Sequence, residues 1–175
     1  MIIFNKNKHF NKIIEDFFND SMANIRGLNI ALSPLGVKQY IEKNKEKFTA
    51  TTFLYLLFLQ DCALHRKYSP KYKKEVSAVL NAMLFEIANR FHYVPQKLSD
   101  LYLQLRQVLS DIAFDKAVEK IGLYYALAVS YLESAFSDED YPEYKAAIYN
   151  DTAEYLVANF FQRVMNENMK YLFQE

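Results

Sequence analysis

The sequence predicts an all-α fold, a single-domain helical bundle of about seven helices, and three observations carry that prediction. Only three Gly and four Pro punctuate 175 residues, too few for the many tight turns of a β-sandwich or barrel. Apolar residues recur at spacings of three and four along most of the chain, the signature of helices with one buried face. Helix start signals are explicit, above all Ser33-Pro34 and Ser69-Pro70. With 51% hydrophobic residues, including 14 Tyr and 14 Phe, the chain has ample material for a core and needs no staple.

Taken in order, the first helix is expected over about Lys8 to Ile25, with Phe10, Ile13, Ile14, Phe17 and Phe18 on its inner face and Arg26-Gly27 as its end. A Ser33 cap with Pro34 in the first turn launches a second helix to about Lys47, whose KNKEK stretch reads as a solvated surface. Thr49 caps a third, the 49–64 helix, apolar on nearly every side as far as Gln60 and therefore buried. Ser69-Pro70 starts a fourth with a single stripe from Tyr72 through Val76, Val79, Leu80, Met83, Leu84 and Ile87 to Phe91, ending before Pro95. A fifth holds Leu98, Leu101, Tyr102, Leu105, Val108, Leu109 and Ile112 in phase, and the phase breaks at Asp115-Lys116.

The 121–136 helix, IGLYYALAVSYLESAF, has Glu133 as its only formal charge and shares the centre of the bundle with the 49–64 helix. Gly122, Ala126, Ser130 and Ser134 form a ridge of small residues along it. Either that ridge reaches solvent, or it lets a neighbouring helix approach closely and buries Glu133. Asp140-Tyr141-Pro142-Glu143 resembles a capping box, after which one helix could run unbroken to about Phe173. At 1.5 Å per residue it would span on the order of 45 Å, so it must kink, protrude or pair.

The formal charge balance is zero, but residues 1–97 hold 15 Lys/Arg against 8 Asp/Glu while residues 98–175 hold 6 against 13. Two halves of opposite sign can attract each other within a monomer or across an oligomer, or expose a basic binding face. One cysteine, Cys62, excludes an internal disulfide and fits a reducing compartment. MIIFNKNKHF has too short an apolar patch for a signal-peptide core, and no run approaches the about 20 apolar residues of a membrane span, so a cytoplasmic, soluble protein is expected. Phe, Tyr, Met, Ile, Asn and Lys far outweigh Gly, Ala, Arg and Pro, the bias of an AT-rich genome.

Most reaction machinery is excluded. Gly27, Gly36 and Gly122 are too scattered to cradle a phosphate, and a helix–turn–helix reading of Leu28 to Phe48 fails on spacing. The residues three before His9, His65 and His92 are Lys6, Cys62 and Asn89, so the Glu-x-x-His pairs of di-iron bundles are missing. No catalytic residue, metal ligand or cofactor is expected. Two features stand out. Asp61, Cys62 and His65 share one helix face, where a carboxylate or thiol can contact an imidazole; Asp61, His65 and Glu133 are the candidate buried polar residues. The stretch His65, Arg66, Lys67, Tyr68, Lys71, Tyr72, Lys73 and Lys74 interleaves cations with flat rings at a helix–helix corner, a candidate interaction surface.

The leading expectation is a non-enzymatic protein-interaction module of adaptor, inhibitor, immunity or chaperone type, with a protein partner or a second copy of itself. Abundant Tyr, which buries area while keeping a hydroxyl wet, favours it. The alternatives are a nucleic-acid-binding regulator using the 65–74 corner, and a helical small-ligand-binding protein or enzyme.

Overall fold

The computed structural model describes residues 6–68, 70–114, 122–137 and 140–173. They form eight α-helices and two 3₁₀ turns: α1 (Lys6–Leu32), a turn at Ser33–Leu35, α2 (Lys38–Lys43), α3 (Lys45–Lys67), a turn at Pro70–Tyr72, α4 (Lys73–Arg90), α5 (Pro95–Phe114), α6 (Leu123–Ala135), α7 (Pro142–Ile148) and α8 (Asp151–Phe173). The fold is all-α. Among the described residues no helix is long and apolar enough to cross a membrane.

The third helix is the axis of the bundle. Fourteen of the residues in α3 are buried, from Phe48 to Leu64, because α1, α4, α6 and α8 surround it. α8 packs along both α6 and α3, and α5 lies across α4 and α6. One hydrophobic cluster draws on all eight helices. Its aromatic centre joins Tyr55 of α3, stacked at 5.8 Å on Phe161 of α8, to Tyr131 of α6, which meets both rings edge-on. The polar ends of these rings are satisfied. Thr52 gives its hydroxyl hydrogen to the Phe48 carbonyl at 2.7 Å, so the Tyr131 hydroxyl, 2.9 Å away, donates to Thr52.

Several element boundaries differ from the sequence-based expectation, each for a local reason. α1 runs straight through Gly27, because Ile25, Leu28 and Leu32 continue the buried stripe, and burying them outweighs the about 1 kcal/mol a helical glycine costs. The real stop is Ser33-Pro34. Ser33 caps nothing; its hydroxyl donates back to the Asn29 carbonyl at 2.7 Å, and Gly36 turns the chain at φ 81°. The expected second helix divides at Asn44, whose side chain donates to the Tyr40 carbonyl at 3.1 Å, and α3 therefore starts at Lys45 with Thr49 inside it. Pro95 begins α5 rather than merely ending α4. The break expected at Asp115-Lys116 lies outside the described residues.

The single long C-terminal helix does not form. The chain breaks at Tyr149-Asn150, where Asn150 accepts the Ala153 amide hydrogen at 2.9 Å and donates to the Ala147 carbonyl at 2.6 Å, closing α7 and capping α8. The residue before α7 is Tyr141, whose side chain makes no capping hydrogen bond, while its carbonyl accepts the Tyr144 amide hydrogen at 3.1 Å. The break also resets the helical phase. Ala153, Val157, Phe161, Val164 and Met165 face inward, while Thr152 and Tyr155 are exposed.

Candidate functional site

Asp61 sits near the end of α3 and is only 2% exposed, a buried carboxylate in an otherwise apolar helix. Two residues of α5 reach it. The Tyr102 hydroxyl donates to Oδ2 at 3.0 Å, and the Arg106 Nε lies 2.8 Å from the same oxygen. One turn along α3, the His65 Nδ1 is 2.7 Å from Oδ1 and 3.0 Å from the Asp61 carbonyl oxygen. With acceptors on both sides Nδ1 must carry the proton. Its N–H points at the carbonyl, so Oδ1 keeps the nearby imidazole but receives no directed hydrogen bond.

This cluster fastens α5 to α3, and its chemistry is limited. Burial, then the Asp61 charge, pushes the Cys62 thiol up to about 11 despite Arg66 and Arg106 nearby, so it is a thiol and not a thiolate at neutral pH. Burial and the same carboxylate raise the Tyr102 phenol as well. Among the described residues the oriented imidazole therefore has no activated nucleophile beside it, and no three acidic, histidine or cysteine side chains converge to hold a metal ion. Arg106 and Tyr102 were not legible as partners of Asp61, since they stand more than 40 positions away on another helix.

Of the three candidate buried polar residues, only Asp61 is buried. His65 keeps its outer face in solvent. Glu133 is exposed too, although the small ridge of α6 meets α3. Ser130 and Ser134 are half-buried against the Tyr55 hydroxyl, at 2.8 and 3.2 Å, while Glu133 on the adjoining face accepts a hydrogen bond from Tyr149 at 2.5 Å. That hydrogen bond pushes the Tyr149 phenol up.

The 65–74 corner presents its cations but not its rings. Arg66, Lys71, Lys73 and Lys74 are exposed, whereas Tyr68 and Tyr72 are half-buried and pack edge to face at 6.0 Å. Tyr68 also packs on Phe10, and its hydroxyl meets the His9 Nε2 at 2.7 Å. Lys67 and Lys71 lie over the Tyr68 and Tyr72 rings, at 5.6 and 5.7 Å. Both ring faces are thus in use within the chain.

Among the described residues, α5 carries several exposed apolar side chains. Leu98, Tyr102 and Leu109 point inward, but Leu101 and Val108 are 49% and 52% exposed, with Leu105 half-buried between them and Val94 exposed before them. Spacings of four and three put Leu101, Leu105 and Val108 on one face of α5, which Val94 immediately precedes. Beside the stripe a groove of about 230 Å³ opens between α5 and α3, with Ala50, Leu54 and Leu98 among its lining and Tyr93 and Ser134 at its margin. The sequence pattern marked Leu101, Leu105 and Val108 as core positions; the structure leaves the helix with a wider apolar face than its neighbours cover.

No protein-family model, curated protein or solved structure matches the chain.

Proposed function

We propose that the protein is a non-enzymatic interaction module that docks an amphipathic helix of a protein partner along α5. The observation that carries this reading is the α5 stripe of exposed Leu101 and Val108 with half-buried Leu105 between them, running into the apolar groove at Leu54 and Leu98. An apolar stripe at helical spacing beside an open groove is the receiving half of helix-in-groove recognition, in which a partner lays residues at i, i+4 and i+7 against it. The scarcity of reaction chemistry around Asp61, with its neighbouring thiol protonated, points the same way.

The test is a double variant, Leu101→Glu with Val108→Glu, whose side chains are exposed enough for the fold to be retained. A photo-crosslinking residue at Gln104, expressed in the native source, should trap one defined partner in the wild-type background and lose it in the double variant. Partner capture that is unchanged by both substitutions overturns the proposal. Concentration-dependent dimers in sedimentation, abolished by the same substitutions, would identify the occupant as a second copy of the chain.

Nucleic-acid binding through the 65–74 corner draws less support, since its rings are occupied and only phosphate attraction is left. Lys71→Glu, Lys73→Glu and Lys74→Glu together therefore leave partner capture intact on the present reading.

A further inference from the structure

We propose that the helix received along α5 is α5 of a second copy of the chain, packed antiparallel about a twofold axis near Gln104. This rests on the docking reading above and names its partner. Leu101, Leu105 and Val108 recur at spacings of four and three, the pattern of a helix–helix seam. Beside them Lys97, Gln104 and Asp111, all exposed, recur every seven residues and so form one row along the edge of that seam.

The row is self-complementary. It runs from a base through a neutral amide to an acid, with the two charges equally far from Gln104. Where two such seams meet antiparallel, their edge rows face each other, so Lys97 of each copy lies opposite Asp111 of the other and Gln104 lies opposite Gln104. A side-chain amide both donates and accepts, and it can therefore pair with a copy of itself. In the same register Leu101 of each copy meets Leu105 of the other, and Val108 lands beside Leu98 in the other's groove. A parallel copy would set Lys97 level with Lys97 and Asp111 level with Asp111, which repel. A foreign helix would require no such symmetry about Gln104.

Both charges are available for this pairing. Among the described residues Lys97 forms no ion pair with its own chain, and Asp111 accepts only from the neutral Gln107 amide, at 2.8 Å. The other edge of the seam consists of Tyr102 and Leu109, which are buried against the bundle. The Lys97–Asp111 row is thus the edge left to set orientation and partner.

Sedimentation of the full chain over a range of concentrations should show a monomer–dimer equilibrium. Lys97→Glu or Asp111→Lys alone should weaken the dimer about tenfold, because each sets like charges opposite one another at both ends of the seam. Mixing these two single variants should restore association, since the mixed pair again matches a base to an acid at each end. Leu101→Glu should abolish the dimer, whereas Leu103→Glu, at a site 55% exposed on the far side of α5, should leave it unchanged. A monomer at every concentration, single charge variants that associate as well as wild type, or a mixture that associates no better than either variant alone each overturns the self-pairing. A chain that stays monomeric while a crosslinker at Gln104 traps a different protein overturns this inference and leaves the docking reading standing. Loss of both the dimer and the crosslink overturns the two together.

Discussion

At the scale of single residues, the most consequential group is Asp61. A carboxylate this deeply buried is tolerated only because Tyr102, Arg106 and His65 converge on it from two helices. Tyr102→Phe removes one charge-assisted hydrogen bond with little change of volume and should cost about 1.5–3 kcal/mol, measured by chemical denaturation. A cost near zero would mean that Arg106 alone holds the carboxylate. The Asp61–His65 contact was legible from the four-residue spacing, because helical geometry places such pairs together wherever the helix lies. Its Tyr102 and Arg106 partners were not, because they depend on how α5 crosses α3. Glu133 shows the converse: its position on α6 is fixed by the sequence, but its exposure is decided by which face of α6 meets α3 and α8.

At the scale of elements, glycine and asparagine acted differently from the punctuation expected of them. Gly27 lies inside α1 with nothing within 4 Å of the position a Cβ would occupy, whereas Gly36 sits at φ 81°. Gly27→Ala should therefore stabilise the protein by about 0.5–1 kcal/mol and Gly36→Ala destabilise it by about 1 kcal/mol or more, both read from urea unfolding. A destabilising Gly27→Ala would contradict an uninterrupted α1. A helix survives a breaker when the residues beyond it keep the buried phase, as Leu28 and Leu32 do here. Asn150 works in the opposite sense, ending one helix and capping the next within a stretch whose pattern reads as continuous. On α5 the apolar pattern is real, but it is wider than the surface α4 and α6 cover, and Leu101 and Val108 are left exposed.

For the whole molecule, ion pairs between described residues do not follow the charge polarity between residues 1–97 and 98–175. Among the described residues the one ion pair joining separate helices is Asp61 with Arg106, and it runs against the gross polarity, with the acid from the basic half and the base from the acidic half. The other Lys and Arg pairs, Lys38–Glu42, Arg90–Glu86 and Arg163–Glu167, lie within single helices and are exposed. Where α1 meets α8, carboxylates from both halves face one another. Stability should therefore change by less than about 1 kcal/mol between low and high salt. A steep loss of stability with salt would show that the halves attract at long range after all.

The sequence by itself determined the helical class, the inner face of α4 and the burial of the 49–64 stretch, because each follows from composition or from a period that every helix shares. It also placed Asp61 beside His65. Only the tertiary structure decided that Tyr102 and Arg106 close on Asp61, that α8 starts afresh at Asn150, that Leu101 and Val108 lie uncovered, and that Ser21, Gln60 and three carboxylates surround one cleft. The physical reason is common to all four. Helical periodicity is a local property written in neighbouring residues, whereas the choice of which apolar face is covered and which polar groups meet depends on helix crossings between segments far apart in the chain.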